Sequence, residues 1–149
     1  MSTAPAPGTI VSEIEIAAPA ATVFAAFTDP EQRLRWWTAG GRFTPLEMES
    51  DLRRGGAWSM RFDSNGRPTS IAGTYRRVEP PHLVEFTWLP SFAAGTGETV
   101  VRIELREQNG RTTVRLTHSG FASEEARASH RGWPELLAAL RAYCEGPAA

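Results

Sequence analysis

The chain opens on strict alternation. Ile10, Ser12, Ile14 and Ile16 alternate with Val11, Glu13 and Glu15, which predicts a strand with one buried face. Pro19 then stands where a helix would begin, and Val23, Phe24 and Phe27 fall on one helical face. Asp29-Pro30 marks a second helix start, with Asp as the N-cap and Pro at the first helical position. That helix ends near Trp36-Trp37, before Gly40-Gly41. From Phe43 the pattern returns to period two. One run spans Phe43 to Leu52. Trp58, Met60 and Phe62 share a face in the next, and Ile71, Gly73 and Tyr75 share a face after the Asn65-Gly66 turn. Pro80-Pro81 interrupts the chain, after which Val84, Phe86 and Trp88 alternate, then Val101, Ile103 and Leu105. Asn109-Gly110 is a two-residue hairpin signal leading into Thr112, Val114, Leu116 and His118 on one face. The segment from Ala122 to Glu145 reads as helix, with an apolar stripe of Trp133, Leu136, Leu137, Leu140 and Cys144. Pro134 predicts a kink or a restart within it.

The order is strand, two short helices, about six strands and one long helix. A curved antiparallel sheet must bury its apolar face, and the C-terminal helix is the element expected to cover it. The expectation is an α+β fold in a single domain over residues 10–146. Residues 1–9 read as a disordered lead-in and residues 147–149 as a tail. Leu89 to Gly97, with two Gly and a Pro, reads as a longer mobile loop.

Composition narrows the function classes. A chain of 149 residues suits one domain. At that size roughly 70% of the unfolded chain's surface is buried, enough for a core without staples. The formal net charge of -1 argues against a general nucleic-acid binder. No apolar run approaches the roughly 18 residues of a membrane span. The N-terminal residues carry no positive charge, unlike a secretory signal or transit peptide. The single cysteine, Cys144, excludes an intrachain disulfide and fits a reducing cytoplasm. All 16 basic residues are Arg. Without a lysine amine, Schiff-base catalysis, pyridoxal phosphate attachment and the P-loop lysine are all excluded.

Catalytic signatures are missing. The chain has no G-x-S-x-G, no H-E-x-x-H, no paired Cys motif and no G-x-G-x-x-G. His82, His118 and His130 lack metal-ligand spacing, so neither metal nor cofactor is expected. His118 shares strand parity with Val114 and Leu116 and therefore points inward. It is either a satisfied core histidine or a polar group at a pocket wall that can both donate and accept. Arg53 projects to the same side as Asp51 in extended chain. It is either half of a surface pair or a guanidinium that closes a cavity mouth on a ligand's anionic group. Five tryptophans, Trp36, Trp37, Trp58, Trp88 and Trp133, are many for this length. They are either core packing or the walls of a small-molecule pocket in which Tyr75 would be a polar handle. An empty apolar hole of ~300 Å³ would cost about 7 kcal/mol at about 24 cal/mol per Å³. That is comparable to a domain's total stability of about 5–15 kcal/mol. Any cavity here is therefore expected to be hydrated, occupied or partly collapsed by indole rings.

Several local motifs occur in a fixed order. They are Thr28-Asp29-Pro30, Trp36-Trp37, Asp51 to Trp58 with its Gly55-Gly56 turn, Gly73-Thr74-Tyr75, Glu79-Pro80-Pro81 leading to Trp88, His118-Ser119-Gly120-Phe121, and Gly132-Trp133. Together they resemble the START-like (SRPBCC) helix-grip superfamily over about Ile10 to Glu145, and within it the branch named after the activator of Hsp90 ATPase. The resemblance implies a curved sheet of about six to seven strands wrapped around a C-terminal helix. It also implies a cytoplasmic, cofactor-free protein, monomeric or homodimeric, that binds a small hydrophobic or aromatic molecule between sheet and helix. The ligand-binding residues expected on that reading are Trp37, Trp58, Met60, Tyr75, Phe86, Trp88, His118, Trp133 and Leu137, with Arg53 at the mouth. Two other roles occur in the superfamily. One is an aromatase/cyclase-like or hydrolase-like enzyme, which would use His118, Tyr75 and Arg53. The other is an Hsp90 co-chaperone-like protein-interaction domain.

Overall fold

The computed structural model describes residues 8–38, 41–91, 97–128 and 130–146. Among the described residues, seven strands and four helices follow one another as β1 (Ile10–Ile16), α1 (Ala20–Thr28), α2 (Pro30–Trp36), β2 (Phe43–Ser50), β3 (Ala57–Ser64), β4 (Arg67–Glu79), β5 (Leu83–Pro90), β6 (Thr99–Gln108), β7 (Arg111–Ser119), α3 (Glu124–Ala128) and α4 (Trp133–Glu145). The strands form one antiparallel sheet in the order β1-β7-β6-β5-β4-β3-β2, so sequence neighbours from β2 to β7 are also neighbours in space. The short first strand crosses over to pair with β7, Ile10 opposite His118 and Ile16 opposite Thr112. The sheet curls, and its concave face is closed by α1, α2 and α4.

Turn chemistry fixes the register. Asn65 and Gly66 both have positive φ, as do Asn109 and Gly110, the signature of tight hairpin turns that match strand twist. These turns set Ser64 opposite Arg67 and Gln108 opposite Arg111. With register fixed, strand parity sends Trp58, Met60, Phe62, Ile71, Tyr75, Phe86, Trp88, Val101, Ile103, Val114, Leu116 and His118 to the buried face.

Some expectations need correction. The run from Phe43 to Leu52 is strand only to Ser50, and a bulge between Pro45 and Glu47 leaves Leu46 on the exposed side. Residues 89 and 90, expected in a loop, continue β5, where Ile71 pairs with Pro90. Of that expected loop, residues 92–96 lie outside the described residues, as do residues 1–7 of the lead-in and the tail 147–149. The segment from Ala122 to Glu145 is not one helix. It splits into α3 and α4, and Pro134 sits in the first turn of α4, where its missing N–H costs nothing. The 13-residue α4 therefore cannot cover the concave face alone. Helices α1 and α2 share the task through Val23, Phe24, Phe27, Trp36 and Trp37, all buried. Asp29 does precede α2 as its N-cap residue, with Pro30 at the first position, but its side chain makes no capping hydrogen bond.

One close approach holds the middle of the sheet. The indole Nε1 of Trp58 donates to the Thr87 carbonyl at 3.3 Å, across β4 and over Gly73. A Cβ on residue 73 would overlap that carbonyl and press on the indole. Gly73→Ala is therefore expected to destabilise the fold by about 1–3 kcal/mol or more, as overpacking does. Urea melts of the two proteins check this, and an unchanged midpoint would mean that the strands can part without cost.

Candidate functional site

The concave face is filled by rings. Trp37, directly after α2, lies within 6.4 Å, centroid to centroid, of Trp36, Phe43, Phe62, Trp88 and Trp133. Trp58 packs edge-on against Phe86 at 5.2 Å and near Trp88 at 5.8 Å. A cavity of about 60 Å³ remains, lined by Trp37, Phe43, Phe62, Ile71, Trp88, His130, Gly132, Trp133 and Leu136. It lies between the sheet and the start of α4. Phe43, Phe62 and Gly132 also line an outer groove of about 460 Å³ bordered by Arg42, Arg67, Arg131 and Glu135, so cavity and groove are neighbours. The cavity is wide enough for a water molecule or two, whereas a cavity that takes up benzene measures about 150 Å³. Of the alternatives left by composition, partial collapse onto indole rings is what this structure contains.

Three of the five indole N–H groups have partners. Trp36 donates to the Ala26 carbonyl at 2.8 Å, Trp58 to the Thr87 carbonyl, and Trp133 to His118 Nδ1 at 3.0 Å. The N–H groups of Trp37 and Trp88 are buried without a partner, and both rings line the cavity. An unmet buried donor costs about 1–3 kcal/mol.

His118 is fully buried and committed at both nitrogens. Indole N–H can only donate, so Nδ1 accepts from Trp133 and the proton resides on Nε2. Nε2 then donates to Thr99 Oγ1 at 2.7 Å, and that hydroxyl donates to the Trp88 carbonyl at 3.1 Å. The chain is complete in the neutral tautomer. Burial, and then the nearby His130 at 4.9 Å between ring centroids, push the His118 pKa down to about 3. His130 is itself lowered by burial, although the Ala126 carbonyl accepting from its Nδ1 at 2.8 Å works the other way. His118 thus meets the description of a satisfied core histidine. At neutral pH it is uncharged, its one ring proton is held by Thr99, and among the described residues no carboxylate partners it.

The other expected site residues separate into groups. Trp37, Trp88 and Trp133 line the cavity, and His118 stands behind Trp88 and Trp133. Trp58, Tyr75 and Phe86 instead surround a second recess beside α1 and α2 that is too tightly filled to admit a water molecule. Met60 and Leu137 are buried but line neither space. Arg53 is exposed and pairs with Asp51 at 2.7 Å, away from both. Among the described residues, no group of three or more His, Cys, Asp or Glu side chains could hold a metal ion.

The recess contains a residue that sequence reasoning missed. Arg33, on α2, is 2% exposed. Its guanidinium carbon lies 4.4 Å from the Trp37 ring centre, 4.5 Å from Phe27 and 5.4 Å from Trp58. Its Nε and Nη2 have no hydrogen-bond partner. Burial lowers its pKa to about 10, with a smaller opposing influence from Tyr75, so it stays charged at neutral pH. Tyr75 shares a 2.6 Å hydrogen bond with Ser50. Burial raises its hydroxyl pKa, the Ser50 bond and Arg33 pulling the other way, which leaves it protonated. The available signal was spacing, since Arg33 falls three and four residues before Trp36 and Trp37, on the apolar side of α2.

The chain is similar to known proteins over nearly its full length. Residues 17–145 match the family described as activator of Hsp90 ATPase homolog 1-like protein. Protein CV1439 from Chromobacterium violaceum is 24% identical, with 95% of this chain and 99% of that one covered at a TM-score of 0.79. The AHSA1-like protein from Aeromonas hydrophila is 24% identical, covering 91% and 92% at a TM-score of 0.74. CalU16 from Micromonospora echinospora is 25% identical, covering 93% and 79% at a TM-score of 0.68. No curated protein matches the chain. None of the described helices is long and apolar enough to cross a membrane.

The histidine geometry has a consequence for acid stability. Above about pH 6.5 His118 is neutral folded or unfolded and contributes no pH dependence. Between pH 6.5 and about 3 the unfolded chain binds a proton that the folded protein refuses, so stability falls as pH falls. The loss approaches about 1.4 kcal/mol per pH unit. His118→Leu removes this dependence but strands the Trp133 N–H, at about 1–3 kcal/mol near pH 7. In urea melts the gap between wild type and variant is expected to narrow from pH 7 to pH 4.5. A constant gap would refute a neutral, buried His118.

Proposed function

We propose that this chain, which belongs to the family of activator of Hsp90 ATPase homolog 1-like proteins, binds a small hydrophobic or aromatic molecule between its sheet and its C-terminal helix. The observation that carries the reading is the cavity of about 60 Å³ walled by aromatic and aliphatic side chains, with two buried indole N–H groups unmet on its walls. A well-packed core satisfies its donors and leaves few voids. A ligand pocket is mostly apolar with a few polar groups that fix orientation. The walls here have that composition. The adjoining groove supplies an approach between α4 and the β2–β3 end of the sheet. An enzyme reading finds less support, because His118 is committed at both nitrogens and Arg53 is tied to Asp51 at the surface.

Binding requires the cavity to expand, so ligand and fold stability are linked. An uncharged aromatic probe at about 100 times its Kd adds about 2.7 kcal/mol of stability. For a domain of this size that raises Tm by roughly 5–10 °C, taking about 2–4 °C per kcal/mol. A panel of uncharged aromatics, including 1-naphthol and indole, is expected to contain members that raise Tm and change tryptophan emission. Leu136→Phe, which places a ring in the cavity, is expected to weaken these responses at least tenfold while the protein stays folded. A diverse panel that moves neither Tm nor emission would count decisively against the reading.

A further inference from the structure

We infer that the molecule this protein takes carries a carboxylate, and that Arg33 is the group that receives it. The inference rests on the pocket reading above and adds the chemical class of the ligand.

Arg33 is a full positive charge enclosed by rings, with no carboxylate among its contacts. Aromatic faces attract the faces of a guanidinium, but they offer nothing to the N–H groups in its plane. The two nitrogens left unmet, Nε and Nη2, form one edge of the group. Their N–H bonds run parallel, the fork that a carboxylate meets with two hydrogen bonds. Tyr75, on the wall of the same recess, has a protonated hydroxyl that can turn from Ser50 to an anionic oxygen.

The second observation is independent of Arg33. The buried N–H groups of Trp37 and Trp88 also lack acceptors. Trp37 touches Arg33 on one side and lines the cavity on the other, so one indole separates the guanidinium from the cavity. With that ring displaced, the cavity extends to the guanidinium. Its apolar part suits the body of an aromatic acid, and its charged end suits the acid's head. All the unmet groups named here are donors, and a carboxylate is acceptor-only.

The test uses matched probes: 1-naphthoate against 1-naphthamide, and indole-3-acetate against indole-3-acetamide, by calorimetry and thermal shift at pH 7.5. The acids are expected to bind at least tenfold more tightly than the amides. Arg33→Met, similar in length and uncharged, is expected to bring acid and amide within twofold while retaining amide binding. Its Tm without ligand is expected to equal or exceed the wild type's, because a buried charge without a counter-ion has been removed. Equal affinity for acids and amides in the wild type would overturn the inference and leave the pocket reading standing. So would an acid preference that survives in Arg33→Met. Failure of both acids and amides to bind would remove the pocket reading and this inference together. If Arg33→Met does not fold, the acid-to-amide ratio of the wild type decides alone.

Discussion

A curled sheet has a concave face that something must fill, and the rest of this structure follows from how the chain fills it. Seven strands present inward residues that three short helices cannot cover with aliphatic side chains alone. Indoles make up the difference, because one ring spans the distance from a helix to the floor of the sheet. Trp37 is the hub. It meets α4 through Trp133, β5 through Trp88, and the β2–β3 end of the sheet through Phe43 and Phe62. The packing is dense but not complete, and what remains open is a small cavity beside this ring.

The same crowding encloses Arg33. Burial lowers its pKa from the ordinary arginine value to about 10, which corresponds to about 3 kcal/mol against the charged form. Cation–π contacts return about 0.5–2 kcal/mol each, and three rings lie within reach. Faces and edges of the guanidinium therefore have different fates. The stacked faces recover much of the desolvation cost, while the unmet edge keeps a cost of about 1–3 kcal/mol for each stranded donor. Stability alone would favour an apolar side chain here. On the proposal that a carboxylate binds here, a ligand acceptor would cancel this cost only when it is present.

Much of the fold could be read from local chemistry. Period-two alternation located six of the seven strands with correct inward faces, and the two Asn-Gly turns fixed their hairpins. The restart of the C-terminal helix was legible at Pro134, which sits in the first turn of α4, whereas the bulge at Pro45 to Glu47 escaped, because it depends on strand pairing that a one-dimensional pattern does not encode. The site was legible only in part. Trp88 could be placed by strand parity and Trp133 by the helical stripe, while Trp37 was expected at the site through the family resemblance. Phe43, Ile71 and Leu136 come together only once the sheet curls and α4 docks. Arg53 drew attention because it lies beside a Gly-Gly turn, yet Asp51 two residues away already satisfies it. Arg33 escaped because a charge inside a short helical stripe normally reads as a solvated face, and α2 is too short for its apolar side to be certain from spacing.

For a ring to enter, one indole has to give way, and hydrogen bonding decides which does so at least cost. Trp36, Trp58 and Trp133 would each break an N–H bond on moving, and Trp133 would also strand His118 Nδ1. Trp88 has no such bond, but it belongs to β5, a strand laddered to both β4 and β6, and its own backbone is paired with Thr99. Trp37 is bound by neither restraint. Its N–H is unpartnered, and it follows the last turn of α2, where its backbone N–H bonds the Arg33 carbonyl but no strand ladder holds it. Moving it sacrifices ring contacts and the stacking on Arg33, and a bound aromatic ring with an anionic head supplies substitutes for both. The indole that breaks no side-chain hydrogen bond and leaves no strand ladder on moving is thus the one that stands between the cavity and the buried charge, so on the carboxylate reading a single displacement would open the apolar space and expose its polar end.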